Sequence, residues 1–422
     1  MKNIKINYFW KSVILVAFGS LGGQLIIILS KPILTRLFSV EEFGNFSLYI
    51  SILSLLMMLG TFQYEKGIII ADEDELSLDI LGLSLMILTA LTSIIFIVCI
   101  SMMSFAVWSA SPIILILLPF GFFFAGLFNI LMQWSLRKKS FKTIGKAKVK
   151  QSLLGNLVKI SFGLFNFNHA GLIIGSIILH LVGSVCLLKA LFVDMRKTVY
   201  HFEVDAIKNV AFKYKNFPIY SMPARLLNTA GIQLPVLFMT LVFGLSTVGQ
   251  FSLANSILSL PMMIIGQSIG DVFLAELSTI GKVNPNKSKR LMTKLVKRLF
   301  LIGLIPTLIV VIFGPVLFSM IFGEEWYIAG VFARILSIVT LPRLCFSLTV
   351  RVFTVFEKQQ SILKLDILRV ILVSLGFGIS FILGLNIIIT LLIYAIMMAL
   401  VYLVTFLSAL RLVNNYKVHQ RL

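Results

Sequence analysis

Acidic residues are scarce in this chain. Seventeen Asp and Glu stand against 37 Lys and Arg, and charged residues of both signs make up only 13% of 422. A soluble domain carries about 25%, so a water-facing globule is excluded for want of polar surface. Cysteine is nearly missing. Cys99, Cys186 and Cys345 each fall in an apolar stretch with no paired spacing, which excludes a disulfide framework and leaves them as small packing residues. The four histidines, His169, His180, His201 and His419, show no metal-ligand spacing. No G-x-x-x-x-G-K-[ST] stretch occurs, so the chain does not hydrolyse nucleotide through a phosphate loop. No A-x-A cleavage signal follows a short apolar core, and the first apolar run therefore reads as a retained span.

What the chain has in excess is apolar sequence: 59% hydrophobic residues and a mean hydropathy of +1.01. It divides into twelve runs near the ~20 residues that cross a bilayer core as a helix, at about 12–34, 43–62, 78–103, 112–134, 149–166, 170–193, 218–243, 248–275, 299–321, 328–355, 362–384 and 387–410. The run 149–166 is the most polar of them. Net charge is +20, which in a soluble protein would suggest nucleic acid. The positions of the charges decide otherwise. Lys and Arg crowd the segments that alternate spans put on one side, whereas the opposite loops hold Arg36 alone. This bias places both termini in the cytoplasm. It makes the basic runs Arg137–Lys150 and Lys287–Arg298 topology signals and contacts for anionic membrane lipid, not a nucleic-acid surface. The loops opposite are too short to build an external catalytic domain, so no enzyme and no cofactor is expected.

The chain also repeats itself. "LFSVEEFGNFSLYISILSL" at 37–55 and "VFGLSTVGQFSLANSILSL" at 242–260 align without gaps at an offset of 205, with 10 of 19 residues identical. Each copy covers the end of one span, a loop and the next span, and six spans separate them, so both run the same way through the membrane. The expected architecture is all-α and integral to the membrane. Twelve transmembrane helices form two parallel six-helix bundles, 1–200 and 201–422, around a central cleft. Gly44 and Gly249 are expected where each loop turns into its second helix, a position that tolerates positive φ.

The seventh run, "NFPIYSMPARLLNTAGIQLPVL", carries Pro218, Pro223, Gly231 and Pro235. Pro218 reads as a helix start, and Pro223 and Pro235 as hinge candidates. Ionisable side chains inside spans usually mark a pathway, and here the basic ones dominate: Lys31, Lys159, Arg225, Arg334, Arg343 and Arg369. Helical spacing puts Gln24, Lys31 and Thr35 on one face, Ser152, Asn156, Lys159 and Gly163 on another, and Arg225 beside Asn228 and Thr229. Arg334 and Arg343 are nine residues apart, about 180° round a helix, and cannot both face one cavity. Asp366 and Arg369 are spaced to pair. A basic, hydrated cleft favours an anion such as phosphate. An exporter of cations would want carboxylates deep in the spans. Glu65, Asp271 and Glu276 lie near span ends, as candidates for coupling to a proton or sodium gradient.

Three stretches carry a family resemblance. "KPILTRLFSVEEFGNFSLYIS" (31–51) with "QYEKGIIIADEDE" (63–75), "FPIYSMPARLLNTAGIQLPVL" with "VGQFSLANSILSLPMMIIGQSIGDVF", and "MIFGEEWYIAGVFARILS" (320–337) resemble Wzx-type polysaccharide flippases of the multidrug/oligosaccharidyl-lipid/polysaccharide exporter superfamily. The resemblance implies a multi-pass protein of the bacterial inner membrane with a cationic lumen. Its cargo would be a polyprenyl-pyrophosphate-linked oligosaccharide, moved from the cytoplasmic to the outer face. Partners implied are a polysaccharide polymerase and a chain-length regulator. A related lipid II flippase has two further spans, so twelve runs suit the O-antigen or capsule branch. A drug or metabolite exporter of the same superfamily would share the fold.

Overall fold

The computed structural model describes residues 22–105, 111–195, 204–280 and 284–416. Among the described residues the elements are helices: α1 (22–37), α2 (Val40–Leu59), α3 (Asp74–Ser104), α4 (Pro112–Arg137), α5 (Phe141–Leu164), α6 (Asn168–Met195), α7 (Val204–Lys213), α8 (Met222–Leu258), α9 (Leu260–Ile280), α10 (Pro285–Phe322), α11 (Tyr327–Phe346), α12 (Gln359–Ile382) and α13 (Ile387–Asn414). Local sequence sets several starts. Ser39 caps α2 through the amide of Glu42, whose carboxylate accepts from the Ser39 amide in return, satisfying two of the orphan donors of a first turn. Ser111, Asn284 and Asn386 cap α4, α10 and α13, with proline at the first position of α4 and α10.

Nine stretches of the described residues are long and apolar enough to cross a membrane, and the chain is a multi-pass membrane protein. Of the other expected runs, 12–34 falls partly outside the described residues. The run 149–166 is the second half of α5, whose five lysines dilute its apolar character. The run 248–275 is divided between α8 and α9. Many large apolar side chains face outward, among them Ile97, Leu241 and Ile382 at 63%, 83% and 81% exposure. Hydrocarbon solvates such residues and water would not.

The expected turn at Gly44 and Gly249 is corrected. Both are buried within helices. The chain breaks five residues earlier, at Ser39 in the first copy and at Gly244 (φ 82°, ψ 173°) in the second. A residue with a Cβ is disfavoured at that φ, and no neighbouring side chain crowds the site. The positive-φ requirement thus falls at the break itself, not at the shared glycine that follows it.

Residues up to Thr229 form one compact unit and those from Ala230 another. In the first unit α5 lies along α6, α4 packs on α6 and α3, and α2 on α4 and α6. In lipid, helices associate through close van der Waals packing of small residues, and α5 and α6 do so at Gly155 and Gly175. A Cβ on Gly175 would stand 2.9 Å from the Gly155 carbonyl and would overlap the Lys159 stem. In the second unit α10 pairs with α11 through Gly314 and Gly330, and α11 and α12 pack on α13.

Candidate functional site

Unit 1 gathers the basic residues of α1 and α5. Lys31 and Lys159 lie within electrostatic reach of each other, and His180 of α6 within reach of Lys159. The Lys159 ammonium sits over the Phe46 ring, 4.8 Å from its centroid, a cation–π contact strengthened where water is excluded. Lys159 has no ion pair among the described residues. The polar stripe of α5 faces protein: Ser152 and Asn156 are each 3% exposed, and Gly163 packs on Leu37 and Phe38. Thr35 is buried and donates to the Pro32 carbonyl.

Elsewhere in unit 1 several buried polar atoms have no hydrogen-bond partner among the described residues: His180 Nδ1, Gln151 Oε1, Asn45 Oδ1 and the Tyr49 hydroxyl. Each would be expensive if left dry. The sequence reading missed His180 and Gln151. The signal for both is spacing on the α5–α6 contact, since Gly183 opens onto Gln151 and Phe128, and the Phe128 ring neighbours His180 at 6.1 Å.

A second group surrounds the turn after α2. Phe62 and Gln63 both take left-handed backbone, at φ 47° and 66°, and deliver the short turn Tyr64–Lys66. Glu65 is buried and accepts from the Thr61 hydroxyl. Arg225, exposed in the first turn of α8, donates from Nη1 to Gln63 Oε1 at 3.3 Å. Its local partner is thus an amide and not a carboxylate. Burial holds the Lys66 ammonium below its ordinary value; Arg225 adds to this and Glu65 opposes it. Tyr64 ties the turn to α7 by donating to the Ala211 carbonyl. Pro223 follows a π-helical turn, Phe217–Ser221, and Pro235 is buried inside α8.

Unit 2 holds the other three arginines, on different faces. Arg334 is exposed and donates to the Ile312 carbonyl at 3.2 Å. Arg343 reaches Ser259 Oγ at 3.4 Å. Arg369 pairs with Asp366 at 3.2 Å. Tyr394 lies within electrostatic reach of both Arg343 and Arg369, a convergence of α11, α12 and α13 that spacing along one helix does not reveal. Glu276 is exposed on α9, and the Asp271 side chain lies outside the described residues. Among the described residues no three His, Cys, Asp or Glu are grouped to hold a metal.

No curated protein matches this chain. Structural likeness is broad. An inward-facing multidrug resistance MATE family transporter of the MOP superfamily superposes with a TM-score of 0.69 at 16% identity, covering 94% of this chain and 96% of the other. An outward-facing MATE transporter gives 0.65 at 15% identity, covering 96% of each chain. A MOP-superfamily transporter from Pyrococcus furiosus, whose binding pocket is described as reversed in polarity and suggestive of a different function, gives 0.64 at 15%, again over 96% of each chain. The family described as "Polysaccharide biosynthesis protein" matches residues 33–329. The chain therefore belongs to the polysaccharide biosynthesis protein family and carries it on the fold of the MOP-superfamily transporters.

Proposed function

We propose that the protein flips an undecaprenyl-pyrophosphate-linked oligosaccharide, an O-antigen or capsule repeat unit, across the bacterial inner membrane by alternating access. The observation that carries this reading is Lys159: a basic residue within a membrane unit, without an ion pair among the described residues, within electrostatic reach of Lys31 and of His180, whose buried Nδ1 has no hydrogen-bond partner. A diphosphate supplies the missing negative charge and the acceptors that ammonium and guanidinium groups take. In this reading Lys31, Lys159 and Arg225 meet the phosphates, and the sugars follow into the hydrated interior while the polyprenyl tail stays in lipid. Pro223 and Pro235 let α8 bend. Twelve spans in two parallel halves, 1–200 and 201–422 with cytoplasmic ends, form the frame. The protein is a transporter without cofactor, working beside a polymerase and a chain-length regulator. Glu65, Asp271 and Glu276 are the carboxylates offered for proton or sodium coupling.

The second reading, a drug or metabolite exporter, is favoured by the likeness to multidrug transporters. Proteoliposomes separate the two. Loaded on one face with a fluorescent undecaprenyl-diphosphate oligosaccharide, they should expose it on the other in a protein-dependent way, and Lys159→Gln should slow the exposure. Transport of cationic dye with no movement of lipid-linked glycan would establish the exporter instead.

A further inference from the structure

Arg137 opens a basic run expected at the membrane surface, yet the fold commits it to protein. Its side chain is 11% exposed. It ends α4, which the left-handed Lys139 (φ 53°) stops, and its guanidinium meets the short helix Gly67–Ile70 and the start of α3. Nη1 donates to the Ile68 carbonyl at 3.1 Å and to the Ala71 carbonyl at 2.6 Å, and Nε donates to Asp74 Oδ1 at 3.0 Å. Lys138 donates to the other oxygen of Asp74 at 2.5 Å. A helix leaves its last carbonyls without internal partners, and here an arginine from another helix caps the end of the short one. The capped stretch is held from other sides as well. The Ser77 hydroxyl also donates to the Ile68 carbonyl, at 2.8 Å. The Tyr64 hydroxyl donates to the Ala211 carbonyl of α7 at 3.0 Å. A Cβ on Gly67 would stand 3.2 Å from Ile80 of α3 and 3.7 Å from Phe217, in the π-helical turn ahead of α8.

We propose that Arg137 is a positioning residue: by clamping the stretch from Ile68 to Asp74 it fixes the Gln63 amide, and through Gln63 it sets where Arg225 points. The chain of contacts is short. Ile68 lies just beyond the turn Tyr64–Lys66, and Gln63, 2% exposed and left-handed at φ 66°, opens that turn. Gln63 Oε1 accepts from Arg225 Nη1 at 3.3 Å. Arg225 is exposed, and an exposed arginine has many rotamers to choose from. Its fork keeps one direction only while its acceptor is fixed. Arg137 suits the clamp because a guanidinium is planar and holds two carbonyls and a carboxylate at set angles. An ammonium is a point donor that follows whatever moves. Lys138 brings charge to Asp74, and among the described residues it donates to neither carbonyl. The clamp itself is independent of the cargo. That an aimed Arg225 meets a phosphate rests on the lipid-linked-glycan reading.

The test uses the full chain in nanodiscs and two readings by mass spectrometry. One is amide hydrogen exchange across residues 61–72. The other is the rate at which phenylglyoxal, an arginine-selective reagent, modifies Arg225. Arg137→Gln should speed exchange across 61–72 several-fold, leave exchange in α6 as in wild type, and raise Arg225 modification several-fold, to the level of Gln63→Ala. Lys138→Gln should change neither reading. Arg137→Lys keeps the charge beside Asp74 and loses the fork, so it should fall between wild type and Arg137→Gln. It carries the test if Arg137→Gln does not accumulate. Arg225 reacting at the wild-type rate in the Arg137 variants overturns the positioning role. Exchange that speeds up as much in α6 as in 61–72 overturns it too, because Arg137 would then hold the whole unit together and not aim one side chain. Where Arg225 reactivity rises but proteoliposomes still move lipid-linked oligosaccharide at the wild-type rate, the clamp stands and the phosphate role of Arg225 falls.

Discussion

Ser39 and Gly244 occupy the same position of the repeated stretch, 205 residues apart, and the helix breaks at both. One break is made by a capping box and the other by a backbone angle. The first copy keeps a glutamate three residues on, so a serine closes the turn with side-chain bonds. The second has Thr247 there, and glycine closes it through φ 82°.

Gly244→Ala should therefore destabilise the protein by about 1–3 kcal/mol, the cost of placing a residue with a Cβ at φ 82°, ψ 173°, although open space surrounds the site. Gly244→Asn should lose about as much, because asparagine's tolerance is for the αL region at ψ of about 47° and not for ψ 173°. Thermal unfolding in detergent reads the loss. Equal midpoints for all three proteins would mean that φ is not fixed there.

Gly175→Leu should wedge α5 from α6. A Cβ alone already overlaps the Lys159 stem and crowds the Gly155 carbonyl, and overpacking of this kind costs about 1–3 kcal/mol. Membrane accumulation of the variant should fall well below wild type, by immunoblot of the membrane fraction. Normal accumulation would show that the two helices part easily.

Gln63→Ala tests how Arg225 is held. The substitution removes the amide that accepts from Arg225 and leaves the charge in place. If the fork must be aimed to meet phosphate, surface glycan should drop several-fold at unchanged protein level, and Arg225→Lys should drop it comparably while Arg225→Ala goes further. Full activity of Arg225→Ala at normal protein level removes this arginine from the cargo path.

Lys66 gives a pH signature. Its folded-state value is below the ordinary one, by burial first and Arg225 second, so the unfolded chain binds the proton more readily. The charged lysine is then a penalty at neutral pH that is relieved as pH rises through the lowered value. Acylation of Lys66, followed by mass spectrometry across pH 7–11, should begin at lower pH than acylation of exposed Lys215. Arg225→Gln should move the Lys66 curve upward. An unmoved curve would mean that the two cations do not sense each other.

Much of the fold is readable in the sequence because a bilayer allows so few solutions. Runs near 20 apolar residues have little choice but to become helices, and Asp366 with Arg369 at i,i+3 could be paired on paper. Other features depend on the tertiary fold. Gln63 meets Arg225 across 162 residues because two left-handed residues turn it back, and non-glycine residues give little warning of such backbone. Gly44 and Gly249 attract attention as the shared glycines, yet both are buried inside helices, and the turn falls five residues earlier on an unshared pair. The Arg343–Arg369–Tyr394 grouping joins three helices whose relative rotation no periodicity supplies.

The bare contact of Gly155 with Gly175 has a mechanical consequence. Two helices touching backbone to backbone have no rotamers between them to re-sort, so α5 and α6 transmit displacement as a single strut. Lys159 grows from one member of that strut and rests its stem on the other. Its ammonium can therefore change place only when both helices do. The cation is mounted on the scaffold, not tethered to it, and the strut's travel sets how far it can carry bound charge.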